Sequence, residues 1–279
     1  MRIYILTLII AASGLYSVVA QPLSSNRFEE RSLSLGSGNT DMTDTYLSPL
    51  RYDGTHVALM SECFSQTTAP RGHWYTQSLF FLHGDYATPR SGGGLTTVGG
   101  MADYSYTYYY KMRLKGKRVG LYVGPQGQLR IGGIYNLRNS NNPAQLKLGV
   151  NAAASALAKY TFTLWGTPMN VRLQADLPLL GVAFGPDYGQ SYYEIFYLGA
   201  SEGCVHMTSL HNNLSLRTNL SCNIQLLPCT LRFTLANDLY QWTLGGQHYR
   251  IFTHSILIGY VRDLYQVVRG DQAKQYIPY

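Results

Sequence analysis

Along residues 103 to 115, DYSYTYYYKMRLK, two sets of side chains alternate. Tyr104, Tyr106, Tyr108, Tyr110, Met112 and Leu114 hold one phase, and Ser105, Thr107, Tyr109, Lys111 and Arg113 the other. A period of two puts each set on its own face of a strand, whereas a helix would scatter both around its circumference. The stretch predicts a β-strand with one apolar and one polar side. Comparable segments recur from Tyr46 onward: 55–66, 73–84, 101–114, 118–124, 128–137, 145–163, 168–177, 192–199, 203–211, 214–226, 229–242 and 247–262. Gly, Pro and Asn mark the joins at APRG, PRSGGG, GPQG, NSNNP, GTP and LGG, as turn chemistry requires. The pattern predicts an all-β chain of about twelve antiparallel strands, with ten as the alternative count, most of roughly the nine to eleven residues that a tilted membrane strand needs. The Ala-rich segment 145–159 also reads as a helix, and 179–199 mixes loop with strand.

Composition bears on what the apolar face meets. The chain has 24 Tyr, 9 Phe and 28 Gly with only 13% charged residues, where soluble domains carry about 25%. Mean hydropathy is -0.10, so the apolar half is hidden by alternation. A closed transmembrane β-barrel accounts for this balance, because closure leaves no unpaired strand edge in lipid. The rival is a soluble secreted β-sandwich whose aromatic face packs on a second sheet.

The chain opens MRIYILTLIIAASGLYSVVAQ: Arg2, an apolar run from Ile3 to Ala12, then Val18 and Ala20 at the positions a signal peptidase reads. Export follows, and Gln21 stands where a lipidated cysteine would be needed. These features divide the chain into a signal peptide (1–20), an irregular lead-in (21–44), a barrel (45–268) and a tail (269–279).

Formal net charge is +7, but the basic residues are scattered, with KMRLKGKR (111–118) the one dense group. Nucleic-acid binding needs a stripe of such charge, so no nucleic-acid partner is expected. Of Cys63, Cys204, Cys222 and Cys229, the last two are close enough for a hairpin at Leu227-Pro228 to bring them together, which makes a Cys222–Cys229 disulfide one reading. No C-x-x-C pair occurs, His206 near Cys204 has no further ligands, and no metal or cofactor is expected.

Three stretches, TYLSPLRYDGT (45–55), GGIYNLRNSNNPAQ (132–145) and FGPDYGQSYYEIFYLG (184–199), resemble a family of exported proteins of gut-type Gram-negative bacteria, classed as a domain of unknown function. The likeness covers most of residues 41–265. It implies an outer-membrane β-barrel and leaves the activity open. Outer-membrane lipids and the barrel-assembly machinery are then the implied partners. The segment RGDQAKQYIPY after Val268 departs from a simple aromatic closing strand.

Polar residues at inward positions are the candidates for chemistry. Asn136, Arg138, Asn139, Asn141 and Asn142 crowd an interval that ends at Pro143, either as a self-bonded loop or as a polar lining. Asp187, Gln190, Ser191 and Glu194 lie among tyrosines, and Tyr188, Tyr192 and Tyr193 suit stacking on a sugar. Carboxylates inside a barrel are normally paired, so Glu62, Glu194 and Asp176 are expected opposite Arg130, Arg138 or Arg172. Such a network either plugs the lumen or lines a narrow pore for a polar solute. An outer-membrane lipid hydrolase needs a serine activated by an oriented histidine, and the His-x-Ser-Asn-Gly pattern of the outer-membrane phospholipases is absent. PRSGGGLTTVGG lacks the lysine and hydroxyl of a phosphate loop. The sequence thus favours a non-enzymatic pore or structural barrel.

Overall fold

The computed structural model describes residues 28–67, 73–92, 96–112, 119–137, 143–226 and 229–265. The expected signal peptide, residues 21–27 of the lead-in, and the tail lie outside them. Eleven strands form one antiparallel sheet: β1 (Phe28–Asp44), β2 (Ser48–Gln66), β3 (Trp74–Pro89), β4 (Thr97–Met112), β5 (Val119–Asn136), β6 (Ala144–Leu164), β7 (Thr167–Phe184), β8 (Val205–Ser209), β9 (Leu216–Leu226), β10 (Cys229–Leu244) and β11 (Gln247–Tyr265). A five-residue helix, α1 (Tyr192–Phe196), sits between β7 and β8. Consecutive strands pair from β1 to β7 and from β9 to β11, β1 pairs with β11, and β7 pairs with β9, so ten strands close the barrel. Short β8 pairs with the last five residues of β7 (Leu180–Phe184), beyond the stretch that pairs with β9 (Met169–Asp176).

The count is therefore ten, and four differences from the pattern explain it. Segments 118–124 and 128–137 are one strand, because β5 runs through Gly124-Pro125-Gln126-Gly127 in unbroken register with Ala152–Ser155 of β6. Residues 28–44 are β1 rather than irregular lead-in. Their alternation is real but written in small polar residues (Ser32, Ser34, Gly36, Gly38, Thr40), which a hydrophobic-period test does not register. Segment 192–199 opens as α1, and 203–211 yields only the short β8. The Ala-rich 145–159 is strand, held on both sides by β5 and β7.

The turns at GTP and LGG form as expected. Trp165 and Gly166 (φ 49° and 78°) link β6 to β7, and Gly245 and Gly246 (φ 54° and 72°) link β10 to β11. Two consecutive positive φ values are the hairpin geometry whose twist matches the strands.

Alternation decides inside from outside on every strand. On β4, Tyr104, Tyr106, Tyr108, Tyr110 and Met112 are exposed, while Ser105, Thr107 and Tyr109 are buried. Tyr108 and Tyr110 pack on Trp74 with ring centroids 4.9 and 5.0 Å apart. With Tyr160, Phe162 and Trp165 they form an aromatic girdle at the end where β1 begins and β11 finishes. The tyrosine face thus meets the exterior and not a second sheet.

Candidate functional site

The lumen contains ion pairs stacked along its axis. Nearest the terminus end, Glu30 (β1) and Glu62 (β2) face Arg172 (β7) and Arg232 (β10). Arg172 donates to Glu30 at 2.6 Å and pairs with Glu62. Arg232 pairs with both carboxylates, and Lys159 (β6) lies 3.5 Å from Glu30. Arg232 also donates to Ser32 and Asn223, each at 2.7 Å. All four members of this quartet are buried. In a ten-strand ring β2 and β7 stand opposite one another, so the Glu62–Arg172 pair spans the lumen.

Next comes a band of hydrogen bonds from neutral donors. Gln77 donates to Glu62 (2.6 Å) and to Gln174 (2.8 Å), Tyr109 bonds Ser155 at 2.6 Å, and Ser155 and Gln174 donate to Asp176. Above it, Arg130 (β5) bridges Asp103 (β4) and Asp238 (β10). Arg217 (β9) contacts the same two carboxylates at 3.1 and 3.3 Å, and the Arg130 guanidinium lies 3.9 Å from the Tyr240 ring centroid. At the far end Lys147 (β6) meets Asp44 (β1) across the barrel at 2.9 Å, with its ammonium 3.6 Å from the Tyr249 ring centroid. Buried charges persist only when paired and hydrogen-bonded, and here the partners come both from opposite walls (Glu62 and Arg172, Asp44 and Lys147) and from neighbouring strands (Asp103 and Arg130, Asp238 and Arg217).

Glu62, Arg130 and Arg172 are buried inside the barrel. Glu62 and Arg172 pair, whereas Arg130 takes Asp103 and Asp238. Asn136 is buried and donates to the Tyr52 hydroxyl at 3.0 Å. Arg138, Asn139, Asn141 and Asn142 lie outside the described residues. Asp187, Gln190 and Glu194 are not in the lumen, because the chain leaves the sheet after Phe184 and they fall in the connection 185–204. There Ser191 and Glu194 form a reciprocal cap on α1, with the Ser191 amide donating to Glu194 at 2.7 Å and the Glu194 amide to Ser191 Oγ at 3.2 Å. This backbone bond holds the Glu194 carboxyl below its usual range. Gln190 donates to the Ala200 carbonyl, and Asp187 lies 3.7 Å from His206.

The Cys222–Cys229 disulfide does not form, and all four cysteines are free. Cys229 stands opposite Leu226 and Cys222 opposite Phe233. The two are offset by four ladder positions, roughly 13 Å at a strand's rise per residue, beyond disulfide reach.

Sequence reasoning missed Glu30, Asp44, Asp103, Lys147, Arg217, Arg232 and Asp238. The available signal was a charged residue in an inward phase. Asp103, for instance, shares the phase of Ser105 and Thr107.

The three stretches that carried the family resemblance meet at the end opposite the termini. Tyr46, in the β1–β2 turn, packs edge-on against Tyr192 of α1 at 5.7 Å. The Leu146 amide, one residue past the second stretch, donates to the Tyr192 hydroxyl at 2.7 Å, and burial pushes that phenol well up. On the outward side of α1, Tyr193 and Tyr197 stack at 4.9 Å and are 60% and 76% exposed.

Two serine–histidine contacts occur among the described residues. His56 Nε2 lies 2.7 Å from Ser255 Oγ inside the barrel, beside the buried His83–Asp85 pair (2.8 Å). Ser209 meets His211 on the surface.

A closed antiparallel barrel with an apolar exterior and a polar, ion-paired interior defines the class: an outer-membrane β-barrel. The chain belongs to the family described as Protein of unknown function (DUF3316), whose model matches residues 1–271. No curated protein matches it. Similar solved structures include the translocator domain of the autotransporter NalP from Neisseria meningitidis, at 10% identity over 95% of each chain with TM-score 0.42. The outer membrane protease OmpT from Escherichia coli is similar at 7% identity over 88% of this chain and 99% of that one, TM-score 0.49. The transport unit of the autotransporter AIDA-I from Escherichia coli is similar at 10% identity over 91% and 96%, TM-score 0.41.

Proposed function

We propose that this barrel is a structural outer-membrane protein with a plugged interior and not a passive pore. The observation that carries the reading is the Glu30–Glu62–Arg172–Arg232 quartet, whose buried members come from opposite walls. Small barrels fill their interiors with side chains, and a solute passing this level would have to separate paired charges in a low-dielectric site. Planar-bilayer recording tests it. The expected result is no steady conductance from the wild-type protein and intermittent openings from Glu62→Gln; a stable ohmic conductance in wild type would overturn the reading.

The same proposal takes the protein to act without catalysis. Ser255 and His56 are both buried, out of reach of a membrane ester. Ester turnover that disappears on Ser255→Ala and on His56→Ala would contradict it. A second reading, glycan binding at the mouth, is favoured by the exposed stacked pair Tyr193 and Tyr197. It predicts a hit in a glycan screen that Tyr193→Ala with Tyr197→Ala abolishes.

A further inference from the structure

Two walls of the barrel present different outer faces. On β6 every outward position from Leu146 to Leu164 is apolar. On β9, β10, β11, β1 and β2 a row of outward positions lying opposite one another is instead polar: Thr218, Asn237, His254, Asn39 and Thr55. His254 Nδ1 is 2.6 Å from Asn237 Oδ1, and Asn237 donates to Thr218 at 3.3 Å. His254, Asn39 and Thr55 are exposed.

The row climbs from the rim of the apolar band into it: Asn39 and Thr55 lie two positions from the outward charges Asp41 and Asp53, whereas His254 lies four positions from Arg250 and eight from Arg262. The outward charges that bracket it on β1 are Arg31 and Asp41. Ten residues of strand tilted by some 40° rise roughly 25 Å, the height of a barrel's apolar band. Asn39 and Ser37 fall inside that interval. Hydrocarbon offers no hydrogen bond to an amide or an imidazole, so the members of the row inside the band, His254 and Asn237, call for a partner that does.

We infer that this wall is the contact between two copies of the chain within the membrane. The row is self-complementary. With Nδ1 donating to Asn237, His254 Nε2 is an acceptor, while the Asn39 amide both donates and accepts. A twofold axis along the membrane normal would set each row against its own copy, the isologous arrangement of most oligomers. Charge points the same way. At the end of the wall opposite the termini Arg51 pairs with Asp41, and Arg90 reaches Asp53 at 3.0 Å, a neutral patch of two cations and two anions that can exchange partners with a copy of itself. The inference rests on the barrel's exterior and is independent of whether the lumen conducts.

A photo-cross-linking residue placed at Ser37, two positions from Asn39 on the same face, and separately at Ala154 on β6, tests this in native outer membranes. The expected result is a band of twice the monomer mass from position 37 and none from position 154. Adducts at 37 to lipid or to another protein alone, or equal dimer bands from both positions, would overturn it. Asn39→Leu with His254→Leu should lower the dimer band about tenfold, given the modest strength of hydrogen bonds between membrane segments, while heat-modifiable gel mobility stays unchanged. Light scattering of the wild-type protein in mild detergent is the second measurement: a dimer supports the inference and a monomer counts against it.

Discussion

The wall of β5, β6 and β7 and the wall of β10, β11 and β1 belong to one sheet and share one interior. Inside, Lys147 and Lys159 of β6 reach Asp44 and Glu30 of β1, so the two walls are tied by the same ion pairs. Outside they diverge. The first presents Ala152, Ala154 and Ala156 between Val150 and Tyr160; the second interrupts Leu33, Leu35 and Ile256 with Ser37, Asn39 and His254. Because inward and outward phases alternate independently, a barrel can hold a common core while assigning different outer surfaces to different partners. The polar row is not an extension of the lumen.

The largest effect is expected where the walls are joined. Glu62→Gln leaves Arg172 and Arg232 short of a counter-charge, and breaking a buried ionic network in this way costs about 3–5 kcal/mol. Urea unfolding in detergent, followed by tryptophan fluorescence, would show it; a loss under about 1 kcal/mol would mean that water enters the lumen and solvates the arginines. Next comes the contrast between the outer faces. Ala154→Arg should cost about 2–4 kcal/mol as a charge at mid-membrane. Asn39→Arg should cost much less, because a long side chain two residues from Asp41 can extend to the rim. Equal losses at the two sites would break the comparison.

The smallest expected effect lies at the mouth. The Glu194 carboxyl is held down by the Ser191 amide, so the cap on α1 is fully present above the usual carboxylate range of about 4.3. It is lost as pH falls through the lower folded value. Hydrogen-exchange protection of the α1 amides should therefore decline at acid pH in the wild type and be low at all pH in Glu194→Ala. A Glu194→Ala variant as protected as wild type at neutral pH would show that tertiary contacts such as Tyr192–Tyr46, not the cap, hold the helix.

Much of the site was legible strand by strand. The alternation in 103–115 puts Ser105 and Thr107 on the polar side, where both are buried. What was not legible was partnership. Arg130 pairs with Asp103, 27 residues away, and Asp238, 108 residues away, and not with Glu62, Glu194 or Asp176, because no local spacing encodes such separations. The segment that holds Asp187, Gln190 and Glu194 mixes apolar and polar residues much as a strand does, which points them toward a lumen they do not enter. A capping Ser191 three residues before Glu194 was the helix signal that outweighed it.

The sequence by itself determined the side of the sheet that each strand residue faces, since that depends only on a period of two, and it determined the hairpins at Gly166 and Gly245-Gly246, since those depend on backbone freedom. Tertiary structure alone decided that residues 28–44 close the barrel, that Gly124-Pro125 continues a strand instead of turning it, and which charges meet across the lumen. Those outcomes follow from strand number and stagger, which are properties of the closed ring. A residue's neighbours in sequence carry no record of who stands opposite it.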